Sequence, residues 1–265
     1  TPPRASSAWV LQADGLRYAR VNTAIDELDT VRAVSNPSRI VQADGGSYLF
    51  ADSDAKVVRI DEAVPVDLDA EGLRAATAAP PGTEEVATGG DFVAYRTDAG
   101  AVFAGRLSAG TVVRIDPGGR DGGADATGAA RAAGAAAPAY TSDAIAVDAR
   151  GVLFSFSAAA GTVVRVDIAT TEVRRTDALD ADASAPVLTA AGDDWVVVDT
   201  ASGRYWTAQR HGASADTAGT PAVSSPDPAG DAVYLADETG LVRVPTADEP
   251  AERVFGDRTT ARGTP

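Results

Sequence analysis

The 265 residues carry 38 acidic against 23 basic side chains, and the resulting charge of −15 opposes binding to a phosphate backbone or an anionic bilayer surface. With no cysteine, neither a disulfide nor a thiolate metal site can form, and no apolar run approaches the roughly 18 residues that would span a bilayer. A hydrophobic content of 45% is enough for a sizeable core, so the chain is expected to fold.

In chain order, the recurring feature is an apolar run, a short polar turn and a second apolar run, which is the signature of a β-hairpin. Six are legible. Trp9-Val10-Leu11 turns at Asp14-Gly15, Tyr48-Leu49-Phe50 turns through Asp52 and Asp54 to Lys56, and Phe92 to Tyr95 turns at Asp98 to Gly100. Val152 to Phe156 turns at Gly161, Trp195 to Val198 at Ser202-Gly203, and Val233 to Leu235 at Thr239-Gly240. Glycine closes five of these turns because a positive φ costs it nothing, and Lys56 in its place predicts a different turn in the second.

The markers Gly15, Lys56, Gly100, Gly161, Gly203 and Gly240 are spaced by 41, 44, 61, 42 and 37 residues. The long interval contains a Gly/Ala-rich stretch over 118–138 with no helical apolar stripe, which reads as a flexible surface insertion. A motif rich in β-branched residues recurs as Val57-Val58-Arg59-Ile60-Asp61, Val112 to Asp116, Val163 to Asp167 and Leu241 to Val244. In the third copy Val102 to Leu107 already fills the place of a third strand, which moves Val112 to Ile115 into the fourth.

A unit of about 40 residues with four short strands matches a propeller blade. The fold expected is therefore all-β: a single β-propeller domain over 1–265, of about six four-stranded antiparallel blades. Hairpin-bearing repeats lie near 8–34, 38–68, 84–116, 143–176, 186–210 and 221–255. In the second, the strands are expected at Ser38–Ala43, Ser47–Ala51, Lys56–Asp61 and Val64–Leu68. A parallel α/β fold would need amphipathic helices between strands, and none is evident. A sandwich would not require six even units. Only eight residues precede Trp9, so the first blade reads as incomplete, and polypeptide outside this sequence could raise the intact ring to seven blades.

Arg20-Val21-Asn22-Thr23-Ala24-Ile25-Asp26-Glu27-Leu28, directly after the first hairpin, resembles the start of the N-terminal β-propeller region of large actinobacterial surface proteins described as fibronectin type III or Ig-like domain-containing proteins. The hairpin pattern and the Val163 to Asp167 strand are similar to that family too. The resemblance implies a parent protein with a membrane anchor before the propeller and fibronectin-like modules after it. It implies no catalytic or ligand residues.

Propellers host enzymes as well as scaffolds, so each catalytic reading must find its residues. His211 is the only histidine and sits in a loop-like His211-Gly212-Ala213-Ser214 context, too little for a multi-histidine metal site or a triad. The two asparagines, Asn22 and Asn36, are a poor match to a calcium site of the lactonase kind. The clusters Asp26-Glu27-Leu28-Asp29, Asp52-Ser53-Asp54, Asp180-Ala181-Asp182 and Asp193-Asp194 lack EF-hand spacing and read as turn residues. Trp9, Trp195 and Trp206 read as packing residues. No catalytic, cofactor or metal residue is assigned, and no cofactor is expected.

The functional expectation is a non-catalytic, extracellular recognition or spacer domain of a cell-surface protein. It would be monomeric and bind protein or glycan through loops on one propeller face. The alternative is a metal-assisted hydrolase or lyase, which requires at least three Asp, Glu or Asn side chains converging on one cation in the channel.

Overall fold

A computed structural model describes residues 7–43, 45–118, 140–179, 181–225, 227 and 229–256. The 118–138 insertion, apart from Gly118, lies outside the described residues, as do residues 1–6 and 257–265.

The described strands form six antiparallel sheets in chain order. Blade 1 holds β1 (Ser7–Gln12), β2 (Arg17–Asn22) and β3 (Glu27–Ala33), and blade 2 holds β4 (Pro37–Ala43), β5 (Gly46–Ala51), β6 (Lys56–Ile60) and β7 (Thr77–Ala78). Blade 3 comprises β8 (Thr83–Gly89), β9 (Phe92–Thr97), β10 (Val102–Arg106) and β11 (Thr111–Ile115). Blade 4 comprises β12 (Ala144–Val147), β13 (Val152–Ser157), β14 (Thr162–Asp167) and β15 (Val173–Ala178). Blade 5 is β16 (Pro186–Ala191), β17 (Asp194–Asp199), β18 (Arg204–Thr207) and β19 (Ala213–Ser214); blade 6 is β20 (Ala222–Val223), β21 (Ala232–Asp237), β22 (Gly240–Pro245) and β23 (Glu252–Gly256).

This is a β-propeller, and the blades fall where the hairpin period puts them. Val112 to Ile115 is indeed a fourth strand, since β11 pairs with the far edge of β10. The hairpin turns follow the glycine rule at Gly100, Gly161 and Gly203, with φ of 71°, 61° and 68°. In the second hairpin Asp52, Ser53 and Asp54 take the left-handed conformation themselves, with φ of 54°, 55° and 65°, and the Lys56 ammonium sits 2.9 Å from Asp52. In the first, Leu16 rather than Gly15 carries the positive φ of 49°.

One strand falls elsewhere than expected. Val64–Leu68 is not the outer strand of blade 2; that place belongs to β7. Blade 1 captures the segment instead: the Tyr18 hydroxyl donates to the Val66 carbonyl at 2.5 Å, Arg32 donates to that of Pro65 at 2.7 Å, and the Leu68 N–H donates to Ala33 at 2.9 Å. Pro65 offers no N–H to a ladder, and Val64 and Val66 remain exposed, so the alternation there marks no sheet face.

The core is divided into layers between neighbouring blades. Trp9, Tyr18, Leu49 and Ile60 join blades 1 and 2; Phe50, Tyr95 and Leu107 join 2 and 3; Ile115, Leu153 and Val166 join 3 and 4. Phe156, Trp195 and Trp206 join blades 4 and 5, and Val198, Tyr205 and Leu235 join 5 and 6. The inner strands approach one another closely. A Cβ added at Gly89, the last residue of β8, would lie 2.4 Å from the Val147 carbonyl oxygen of β12. Gly89→Ala is therefore expected to lower stability by about 1–3 kcal/mol through overpacking against backbone that cannot yield, measured by urea unfolding.

Candidate functional site

Among the described residues, the cavities that could meet a ligand include two that lie between blades. The first is the axis, where the first strands of blades 2 to 6 converge on a cavity of about 200 Å³ lined by Arg39, Glu85, Ile145, Leu188 and Ser224, among others. Arg39 stacks 4.7 Å from the centre of the Phe50 ring, donates to the Val86 carbonyl at 3.2 Å and forms an ion pair with Asp54 at 3.2 Å. Glu85 accepts from the Arg96 Nε at 2.8 Å, and the Ile145 N–H donates to its other oxygen at 3.4 Å. Burial raises the Glu85 pKa, and the Arg96 guanidinium opposes that shift. Burial likewise pushes the neighbouring Tyr95 hydroxyl up to about 12. Among the described residues, Glu85 is the only carboxylate lining this cavity. Among the described residues, no group of three His, Cys, Asp or Glu side chains is placed to hold a metal ion.

The second is a cleft of about 740 Å³ between blades 3 and 4, on the face where residues 119–139 join the frame. Val102, Arg114, Ile115, Tyr140 and Thr176 line it, and the small side chains at Gly100, Ala159 and Ala160 keep it open. The Tyr140 hydroxyl donates to the Ser155 carbonyl at 2.9 Å, and burial raises its pKa, so it serves as a fixed aromatic wall rather than a base. The cleft combines an aromatic surface and aliphatic walls with Arg114, Asp116 and the hydroxyls of Ser157, Thr162 and Thr176.

The acidic residues singled out in the sequence do not converge. Asp29 pairs with Arg20 at 2.8 Å, Asp193 with Arg150 at 2.7 Å and Asp194 with Arg165 at 3.1 Å. Asp52 accepts from Asn36, whose φ of 43° places it in the turn expected before Pro37. Asp180 lies outside the described residues, and Asp182 and His211 are exposed. All three tryptophans are buried between blades.

In three copies of the recurring motif the arginine holds a turn in place. Arg59 donates to the Gly45 carbonyl at 3.0 Å and Arg243 pairs with Asp231 at 3.1 Å, each clamping the turn into the second strand of its own blade. Arg165 does the same to the next blade, through the Asp193 carbonyl and Asp194. In five blades an arginine lies directly opposite an aromatic of the strand before it: Arg20 and Trp9, Arg59 and Tyr48, Arg106 and Phe92, Arg165 and Phe154, Arg243 and Tyr234. Three of these pairs bring the guanidinium within 5.8 Å of the ring centre, which is cation–π range. The signal was the recurrence of Arg at one place in the repeat.

No family model matches the chain, and neither does any curated protein. Solved structures do. Virginiamycin B lyase from Staphylococcus aureus is 12% identical with a TM-score of 0.52, over 90% of this chain and 76% of that one. KlHsv2 with its loop 6CD replaced by a Gly-Ser linker is 7% identical with a TM-score of 0.55, over 96% and 79%. The computationally designed Ika8 protein is 11% identical with a TM-score of 0.52, over 96% and 73%. At these identities the likeness is one of fold.

Proposed function

We propose that this chain is a non-catalytic recognition domain of an extracellular, cell-surface multidomain protein, binding a protein or glycan through loops on one propeller face. The observation that carries the reading is the cleft between blades 3 and 4. Among the described residues it is walled by Tyr140 and flanked by strands β10 and β11 on one side and β14 and β15 on the other. Of the acidic residues singled out in the sequence, Asp29, Asp193 and Asp194 are held in ion pairs with arginines. The hydrolase or lyase alternative needs a trio of carboxylate or amide groups on the axis, and Glu85, already held by Arg96, offers one.

The test is an array of envelope glycans and secreted proteins probed with the labelled chain. Binding is expected to at least one class, and Ala159→Arg, a change in an exposed turn at the cleft, is expected to weaken it by about tenfold or more. Consistent absence of binding would leave a spacer as the better description.

A further inference from the structure

The hairpin turns differ in how their aspartates are held. Asp52 receives Lys56 at 2.9 Å and Asn36 at 3.2 Å. Asp199 accepts from the Ala185 N–H at 2.9 Å and from the Ser202 hydroxyl at 2.5 Å, and Asp237 is bound by Arg253, Ala218 and Thr239. Carboxylates engaged in this way are fixed in place within or beside their turns. Asp14, in the turn between β1 and β2, is exposed and makes neither a hydrogen bond nor an ion pair among the described residues.

Gly15 follows it, and its N–H also has no partner among the described residues. The bond that closes this turn runs from the Leu16 N–H to the Ala13 carbonyl at 3.0 Å. Nor does the shape of the turn call for glycine at this place, since the positive φ of 49° falls on Leu16. A Cβ at position 15 would press on the end of the Gln12 side chain, 2.6 Å away, which can swing aside. What the glycine contributes is an unshielded main-chain nitrogen next to a carboxyl that nothing holds. Asp precedes Gly twice more, at 44 and at 121; Asp44 and residues 121–122 lie outside the described residues.

We propose that Asp14–Gly15 is a self-modification site, at which the aspartyl linkage isomerises to a β-aspartyl one and loosens blade 1. The Gly15 nitrogen attacks Asp14 Cγ, forming an N–Cγ bond. The amide proton and the carboxyl hydroxyl leave together as water, and a five-membered succinimide results. Water then adds back to one of the two ring carbonyls. Opening at Cγ restores aspartate, and opening at the main-chain carbonyl routes the backbone through the side chain, with no net change in mass. Water is the one reactant required.

The altered linkage adds one backbone carbon to a hairpin whose strands pair in register from Ser7↔Asn22 to Gln12↔Arg17. It separates Leu16 from Ala13 and disturbs the pair of strands that carry Trp9 and Tyr18, 6% and 1% exposed, into the layer against Leu49 and Ile60.

The test is to age the full chain at physiological temperature and map its peptides. An isomeric peptide of unchanged mass, resistant to a protease that cuts before aspartate, should accumulate at position 14. Its rate should lie within about tenfold of that in a synthetic peptide copying residues 9–20, because the turn leaves both reacting groups free. Gly15→Ala, which shields the nitrogen, should slow it by at least about tenfold. Asp14→Glu, which cannot form the five-membered ring, should give none at that position. Aged chain should unfold at a midpoint lower by about 2–4 °C than an equally aged Asp14→Glu chain, a comparison that removes the contribution of the other two Asp-Gly pairs. Conversion in the free peptide without conversion at position 14 of the chain would overturn the proposal, as would an equal rate in Gly15→Ala. Identical midpoints for the aged chain, converted at position 14, and aged Asp14→Glu would overturn the loosening of blade 1.

Discussion

Replacing Asp237 by alanine is expected to cost about 3–5 kcal/mol of stability, because it strands a buried guanidinium without its counter-ion. The Asp237 side chain is fully buried and that of Arg253 is 5% exposed, with Arg253 nitrogens 3.0 and 3.3 Å from the two carboxylate oxygens. The Ala218 N–H donates to the same carboxylate at 2.8 Å, as do the Thr239 N–H and hydroxyl. Asp237 thus ties the end of β21 to β23 and to the loop before β20. Urea unfolding should show the loss as a lower midpoint with an unchanged slope.

The same group makes stability depend on pH in a definite direction. The Arg253 guanidinium, reinforced by the Ala218 and Thr239 donors and opposed by burial, holds the Asp237 carboxyl far below the usual carboxylate range. In the unfolded chain it titrates near an ordinary value of about 3.9, so the unfolded state takes up the proton first as pH falls. The stabilisation is therefore complete above that value and is lost progressively below it. Asp237→Asn should unfold more easily at pH 7 yet lose less on going from about pH 5 to pH 2. Parallel pH profiles for the two proteins would refute the assignment.

Trp195→Ala is expected to cost a comparable 3–5 kcal/mol. The indole is fully buried in the layer between blades 4 and 5, beside Phe156 and Trp206. Its Nε1–H donates to Asp177 at 2.8 Å, and that carboxylate also receives Arg165 at 3.2 Å and Arg175 at 2.6 Å. Trp195→Phe keeps most of the packing and removes the hydrogen bond, so its cost should fall to about 1–3 kcal/mol. The difference between the two variants separates packing from the polar link across the blades. A Trp195→Ala loss below about 1 kcal/mol would mean the layer collapses around the hole.

Much of the frame was legible because a blade is a local object. Each hairpin closes over a short turn, and the alternation of apolar residues, the turn chemistry and the 41-, 44- and 42-residue spacings act within one repeat. The exception is instructive. Val64 and Val66 have strand-like alternation, yet carbonyls 65 and 66 are claimed by Arg32 and Tyr18, which no local rule brings near them. The candidate sites were much less visible. Glu85 meets Arg96 across β8 and β9, Tyr140 meets the cleft beyond the insertion, and Asp237 meets Arg253 from two strands away, so none advertises itself by spacing.

By itself, then, the sequence determined the repeat: six hairpins of alternating apolar residues, glycine or an aspartate-rich run at the turns, a recurring motif rich in β-branched residues, and too few histidine, cysteine and asparagine residues for several kinds of active site. Those properties depend on side-chain type and on contacts close along the chain. Only the tertiary structure decided which carboxylates are tied to arginines, which residues line the cleft between blades 3 and 4, and that Val10 and Tyr234 are half exposed. Each of these is set by which blade stands next to which, and that is not encoded within one repeat.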